Sequence, residues 1–176
     1  AYVLCGPNGS GKSTLLSIIS GYQSPSTGTV TYLKEGTAIE YENFYNEISF
    51  AAPYLELIEE YTLKELLYFH FNFKSMKAGE SIESLIAFMS LEKAADKEIR
   101  YFSSGMKQRV KLGLAFFTQS QVLLLDEPTV NLDKQGIQWY LSAVTSHINN
   151  RIVILASNIP AEYAFTDKIF NVTDYQ

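Results

Sequence analysis

Eight residues near the start of the chain, Gly6-Pro7-Asn8-Gly9-Ser10-Gly11-Lys12-Ser13, have the types and spacing to hold phosphate. Glycines let the backbone curl so that its N–H groups face an anion, and a helix starting near Gly11 would present its positive end to the same point. Lys12 adds a full charge near the β- and γ-phosphates of a nucleotide, and the Ser13 hydroxyl can ligate Mg2+. The stretch fits the P-loop pattern G-x-x-x-x-G-K-[ST] in full, with Thr14 next in the opening turn. Much further on, Val122-Leu123-Leu124-Leu125-Asp126-Glu127 ends an apolar run in two carboxylates. Asp126 is placed to hold Mg2+ through water, and Glu127 to orient or deprotonate an attacking water.

These groups need a frame. Apolar runs at 2–5, 122–125 and 152–156 read as buried strands, with further strands expected at 28–33, 48–51 and 168–172. An acidic loop is expected between 33 and 48. Leu15, Leu16, Ile18 and Ile19 recur at helical spacing until Gly21. Thr62-Leu63-Lys64-Glu65 is a capping-box pattern, and Ser81-Ile82-Glu83-Ser84 opens another helix. Helices are also expected over 104–117 and 135–149. Fully apolar strands alternating with helices indicate an α/β fold with a mostly parallel sheet covered on both faces. The stretch from about 62 to 117 interrupts that alternation as a helical insertion.

Composition bounds the rest. The chain has 176 residues, 47% hydrophobic and 19% charged, enough for one globular domain with a sizeable core. Its formal net charge is −5, and residues 35–65 hold eight acidic side chains against Lys64 alone. No basic stripe is present, which argues against nucleic acid as the main ligand. A single cysteine, Cys5, cannot form an internal disulfide; this favours a reducing compartment, and its apolar neighbours suggest a buried thiol. No apolar stretch approaches the roughly 20 residues that span a bilayer, and no signal-peptide pattern opens the chain. The first strand begins at the chain start without an initiating Met, as a fragment would. His70 and His147 read as ordinary helix residues. The cluster Tyr61, Tyr68, Phe69, Phe71 and Phe73 reads as helical core, or in part as a surface for a partner helix.

Phe102-Ser103-Ser104-Gly105-Met106-Lys107-Gln108-Arg109 resembles the signature Leu-Ser-Gly-Gly-Gln-x-Gln-Arg of the nucleotide-binding domains of ABC ATPases, matching at Ser103, Gly105, Gln108 and Arg109. Asn131-Leu132-Asp133, after Asp126-Glu127-Pro128-Thr129, resembles that family's D-loop. The resemblance spans nearly the whole chain. It implies a P-loop NTPase fold over 1–176, with an α/β core at 1–60 and 118–176 and a helical subdomain at 61–117. It also implies ATP and Mg2+ as cofactors. ATP would be held by Gly6, Pro7, Asn8, Gly9, Ser10, Gly11, Lys12, Ser13 and Thr14, and Mg2+ by Ser13 and Asp126. Ser103, Ser104, Gly105 and Asp133 would meet the ATP of a second such domain, head to tail. Ser104 stands where the family has glycine, and its Cβ would cost roughly 1–2 kcal/mol if the position needs positive φ.

Two family residues are replaced. Residues 37–61 contain no glutamine, and Ala52-Pro53 stands where the family has one; Ser157-Asn158 stands where Thr-His is expected. The adenine-stacking aromatic of the family precedes the first strand. Asn158 is assigned the histidine's place beside Glu127, and slow hydrolysis is expected. The resemblance implies an ATPase subunit of a transporter, cytoplasmic and peripheral on the inner face of the membrane through a transmembrane permease subunit. The alternatives are a soluble ATPase remodelling a protein complex, or a hydrolysis-impaired ATP-binding switch.

Overall fold

A computed structural model describes residues 1–175, with Tyr41 and Glu42 described by backbone only; Gln176, the end of the expected domain, lies outside the described residues. From the N-terminus the chain forms β1 (Tyr2–Cys5), α1 (Lys12–Ile19), β2 (Tyr32–Lys34), β3 (Thr37–Ile39), α2 (Tyr41–Glu47) and β4 (Ile48–Ala51). There follow α3 (Leu63–Phe73), α4 (Ile82–Phe88), α5 (Ser104–Phe117), β5 (Val122–Asp126), α6 (Lys134–His147), β6 (Ile152–Ala156) and β7 (Ile169–Asn171). Five strands make one sheet in the order β4-β5-β6-β1-β7, and every pairing is parallel.

Alternate residues of β5 explain why it carries no polar face. Leu123 and Leu125 enter the core shared with α3, α4, α5 and α6, while Leu124 packs on the opposite face with Leu4, Leu16 and Ala156. Burying both faces requires apolar residues at every position, as in other parallel sheets. The register sets Ala51 beside Leu125, Asp126 beside Ala156, and Ala156 beside Leu4. The C-terminal strand ends therefore share one edge of the sheet, where ligands of open α/β sheets bind.

The insertion is three helices fixed by their first turns. Thr62 accepts from Glu65 N–H, and the Glu65 side chain accepts from Thr62 N–H; Ser81 and Ser84 form the same reciprocal pair on α4. Gly113 lets α5 approach α4: a Cβ there would lie 2.6 Å from Met89 Sδ and 3.0 Å from Leu85 Cδ1.

Two expectations are corrected and a third, left open between two readings, is decided. The strand expected at 28–33 lies at Tyr32–Lys34, antiparallel to β3 in a separate hairpin. Glu35 and Gly36, both at positive φ (52° and 80°), make its two-residue turn, whose twist matches the strands. The expected acidic loop contains α2, held to the hairpin by Tyr32 stacked on Phe44 at 3.6 Å. On α3 the buried residues are Leu63, Leu66 and Leu67, whereas Tyr68, Phe69 and Phe73 are exposed. Of the two readings of the aromatic cluster, these three take the surface one, while Tyr61 and Phe71 pack against the core. Among the described residues no helix is long and apolar enough to cross a membrane.

Candidate functional site

Residues 6–11 link β1 to α1 as an open loop. Gly6, Gly9 and Gly11 have φ of 147°, 83° and 90°, conformations that side chains rarely adopt. A Cβ on Gly6 would also lie 2.6 Å from Ser10 Oγ. Ser10 N–H donates to Pro7 O (3.1 Å), tightening the loop. Gly11 is the N-cap of α1 and supplies no side-chain cap. The first-turn N–H groups of Lys12, Ser13 and Thr14 thus lack intrahelical acceptors, the condition for anion binding. Pro7, Asn8, Gly9, Ser13 and Thr14 are exposed. Lys12 is buried, and its Nζ folds across the loop to donate to Gly6 O (2.7 Å) and Pro7 O (3.1 Å).

Asp126 closes β5 on the same edge of the sheet. It is 1% exposed, and no donor stands in hydrogen-bond geometry with either carboxylate oxygen, although the Ser13 and Tyr54 hydroxyls face it closely enough to act on its charge. Burial pushes its carboxyl up; the Ser13 and Tyr54 hydroxyls and the Lys12 charge oppose that without overcoming it. A buried carboxylate without a full set of donors is costly, and a cation at this point would satisfy it. Ser13, Asp126 and the Lys12 charge fit Mg2+ with a phosphate. Glu127 is exposed at φ 41°, its N–H donating to Ala156 O (3.0 Å). Left-handed backbone in a residue with a Cβ costs about 1–2 kcal/mol. The surrounding turn holds it: Thr129 donates its N–H (3.2 Å) and its hydroxyl to the buried Glu162 carboxylate.

At the end of β6, Asn158 is exposed and its Oδ1 accepts from Gly6 N–H at 3.3 Å. Ser157 is buried and accepts from Ile159 N–H (2.9 Å) in a local turn. Beyond β4, Tyr54 brings its hydroxyl to 3.3 Å from Ser17 Oγ on α1. Burial, and then the Asp126 charge, raise the Tyr54 pKa, so the phenol is protonated at neutral pH. Cys5 is half-buried rather than buried, its thiol donating to Ser157 O (3.3 Å).

The signature residues sit elsewhere, on α5. Ser103 is its N-cap and accepts from Met106 N–H (3.2 Å). Ser104 is the first helical residue and is not at positive φ, so its Cβ incurs none of the backbone cost that a left-handed position would impose. Both serines are exposed. Gly105 packs so closely on the turn after β5 that a Cβ would lie 3.0 Å from Asn131 O. The buried Gln108 amide donates to Pro128 O (2.9 Å). Asp133 caps α6, accepting from Gly136 N–H at 2.7 Å. The structure thus gathers residues 6–14, Asp126, Glu127 and Asn158 at the sheet edge. A second group, Ser103, Ser104, Gly105 and Asp133, lies around the turn that leaves it.

Sequence reasoning missed Glu162, the buried partner of Thr129; it stands alone in Pro160-Ala161-Glu162-Tyr163, with no spacing that marks it. His70 is a helix residue, as expected. Thr118 gives its hydroxyl proton to Leu114 O, so His70 Nε2 must be the donor in its 3.0 Å contact with Thr118 Oγ1.

Residues 1–130 match the family model described as ABC transporter. Nod factor export ATP-binding protein I of Rhizobium sp. (strain N33) is 37% identical over 133 residues, covering 74% of this chain and 44% of that protein. The phospholipid-transporting ATPase ABCA3 of Mus musculus is 27% identical over 163 residues, 91% of this chain and 10% of that protein. The chain spans less than half the length of these curated relatives. Among solved structures, a putative ABC transporter ATP-binding protein from Pyrococcus furiosus has a TM-score of 0.78 at 23% identity, over 98% of this chain and 84% of that one. The dimeric ATP-binding cassette MJ0796 bound to ADP and Pi has a TM-score of 0.79 at 23% identity, over 97% and 80%. The fold is that of these P-loop domains, a parallel sheet flanked by helices.

Proposed function

The chain belongs to the ABC transporter family, and on that footing we propose that it binds ATP with Mg2+ and hydrolyses it as the ATPase subunit of a transporter. In this reading it powers a separate transmembrane permease through ATP-driven head-to-tail dimerisation, from the cytoplasmic face of the membrane. The observation that carries the reading is Asp126, a buried carboxylate with two unpartnered oxygens at the end of β5, beside Ser13 and the Lys12 charge.

Each residue then has a task. The N–H groups of residues 9–14 and the Lys12 ammonium bind the phosphates. Ser13 and Asp126 hold the cation, which when bound draws charge from the phosphates as a Lewis acid. Glu127, exposed and locked by its turn, accepts a proton from water. Asn158 keeps the first residue of the loop in place and offers its amide N–H groups to the γ-phosphate. The exposed start of α5, with Ser103, Ser104 and Gly105, supplies donors to the nucleotide of a second domain, with Asp133 close by. The division into a core (1–60 and 118–176) and a helical subdomain (61–117) assigns these tasks to two bodies. The exposed aromatics Tyr68, Phe69 and Phe73 of α3 support a permease contact on the helical one.

The full-length protein tests this: it releases phosphate from Mg2+-ATP and co-purifies with a polytopic membrane protein. Turnover with a soluble complex instead would favour the remodelling alternative. Tight ATP binding with no phosphate release would favour a nucleotide-binding switch.

A further inference from the structure

The chain leaving β4 makes a β-turn at Ala52-Pro53-Tyr54-Leu55, closed by Leu55 N–H donating to Ala52 O (3.3 Å). Proline at the second position suits such a turn, and Lys111 Nζ donates to Pro53 O, tying the turn to α5. β4 lies beside β5, with Ala51 opposite Leu125, so the turn emerges next to Asp126. The Tyr54 ring leans edge-on against Phe50 (6.3 Å, 74°), and its hydroxyl lies 3.3 Å from Ser17 Oγ. Ser17 is four residues beyond Ser13, on the same face of α1. The phenol hydroxyl that meets Ser17 on the helix carrying Ser13 also acts on the Asp126 carboxylate at the neighbouring strand end, whose oxygens have no donor in hydrogen-bond geometry.

We propose that Tyr54 is a positioning residue of the cation site, its hydroxyl bridging Ser17 and Asp126 and fixing the carboxylate and its water for the metal. This rests on the reading of the site as one for Mg2+-ATP. A phenol has one proton and two lone pairs. It donates the proton to Asp126, accepts from Ser17, and keeps one lone pair for a metal-bound water. Tyr54 acts through Asp126 and does not touch the phosphates, so its loss should weaken the metal and leave the nucleotide alone.

The test is Mn2+ binding to the full-length protein, followed by electron paramagnetic resonance with ATP present, in wild type and Tyr54→Phe. Removing an outer-shell partner typically costs 10–100-fold in metal affinity, and we expect at least about 10-fold here. ATP affinity without metal should stay within about 2-fold, and Tyr54→Gln, which restores a donor and an acceptor, should recover most of the Mn2+ affinity. A Tyr54→Phe protein that binds Mn2+ as wild type does overturns the role of Tyr54 alone. A wild type that binds neither ATP nor Mn2+ overturns the site reading as well.

Discussion

Gly6 N–H donates to Asn158 Oδ1 across 3.3 Å, so the amide that follows β6 holds the first residue of the phosphate loop. A neutral amide can accept from the loop through oxygen and still donate through nitrogen, at any ordinary pH. Asn158→Ala removes both functions from an exposed position. Its effect should be smaller than the 10²–10³ lost with a preorganised donor in a closed site. Single-turnover hydrolysis should slow by roughly 10-fold, with ATP affinity little changed. An unchanged rate would remove Asn158 from the chemistry.

Lys12 and Glu127 separate binding from turnover. Lys12→Ala deletes the buried ammonium that bridges Gly6 O and Pro7 O, a charge-assisted phosphate contact worth roughly 2–4 kcal/mol. Calorimetry should show ATP affinity falling accordingly. Glu127→Gln keeps the turn and the phosphate donors but loses the base. The full-length variant should bind ATP, release little phosphate and accumulate as a dimer in light scattering.

His70 gives the fold a pH limit. Burial, and then the Lys74 charge, lower its pKa to about 4, against about 6.5 in the unfolded chain. Between those values the unfolded chain takes up a proton that the folded one refuses, so stability falls as pH drops through this window. The loss from pH 7 to pH 5 is about 2 kcal/mol for this residue. His70→Gln keeps a donor for Thr118 and removes the titration. Urea unfolding at the two pH values should show a smaller difference in the variant than in wild type.

Gly113 sets two effects against each other. Alanine is favoured over glycine inside a helix by up to about 1 kcal/mol. At this position, however, the new Cβ would sit 2.6 Å from the Sδ of fully buried Met89. Overpacking of this kind costs roughly 1–3 kcal/mol, so Gly113→Ala should lower the denaturation midpoint. A raised midpoint would mean that α4 can move aside.

The parts that were legible in the sequence are those where one local signal decides the outcome. β5 and Asp126 were visible because both faces of the strand are buried and the acidic end breaks the run. α5 was visible at both ends, 104–117, because Ser103 caps it and Thr118 follows the last apolar pair. The strand shifts from 28–33 to 32–34 and its hairpin is not foreseen, because Glu35-Gly36 is an unusual pair for a turn with two positive φ values. Spacing leaves the α3 aromatics open between core and surface, because hydrophobicity says what a side chain tolerates, not whether a neighbour covers it. The hold of Tyr54 on Ser17 depends on β4 lying beside β5, a pairing across more than 70 residues. Glu162 depends likewise on a fold contact with Thr129. No periodicity encodes either one.

The hydrogen bond from Gln108 to Pro128 has a thermodynamic consequence. It joins the helix whose exposed end carries Ser103 to the turn that fixes Glu127, so displacement of one is work done on the other. Coupling of this sort is symmetric: whatever free energy an anion at the start of α5 contributes to the pose of Glu127, the pose of Glu127 returns to the affinity of α5 for that anion. Two domains facing each other in this manner would each sense the other's nucleotide through this buried amide and the close packing of Gly105 on Asn131 beside it. Gln108→Ala would then weaken the coupling of the two sites while leaving the residues of both in place.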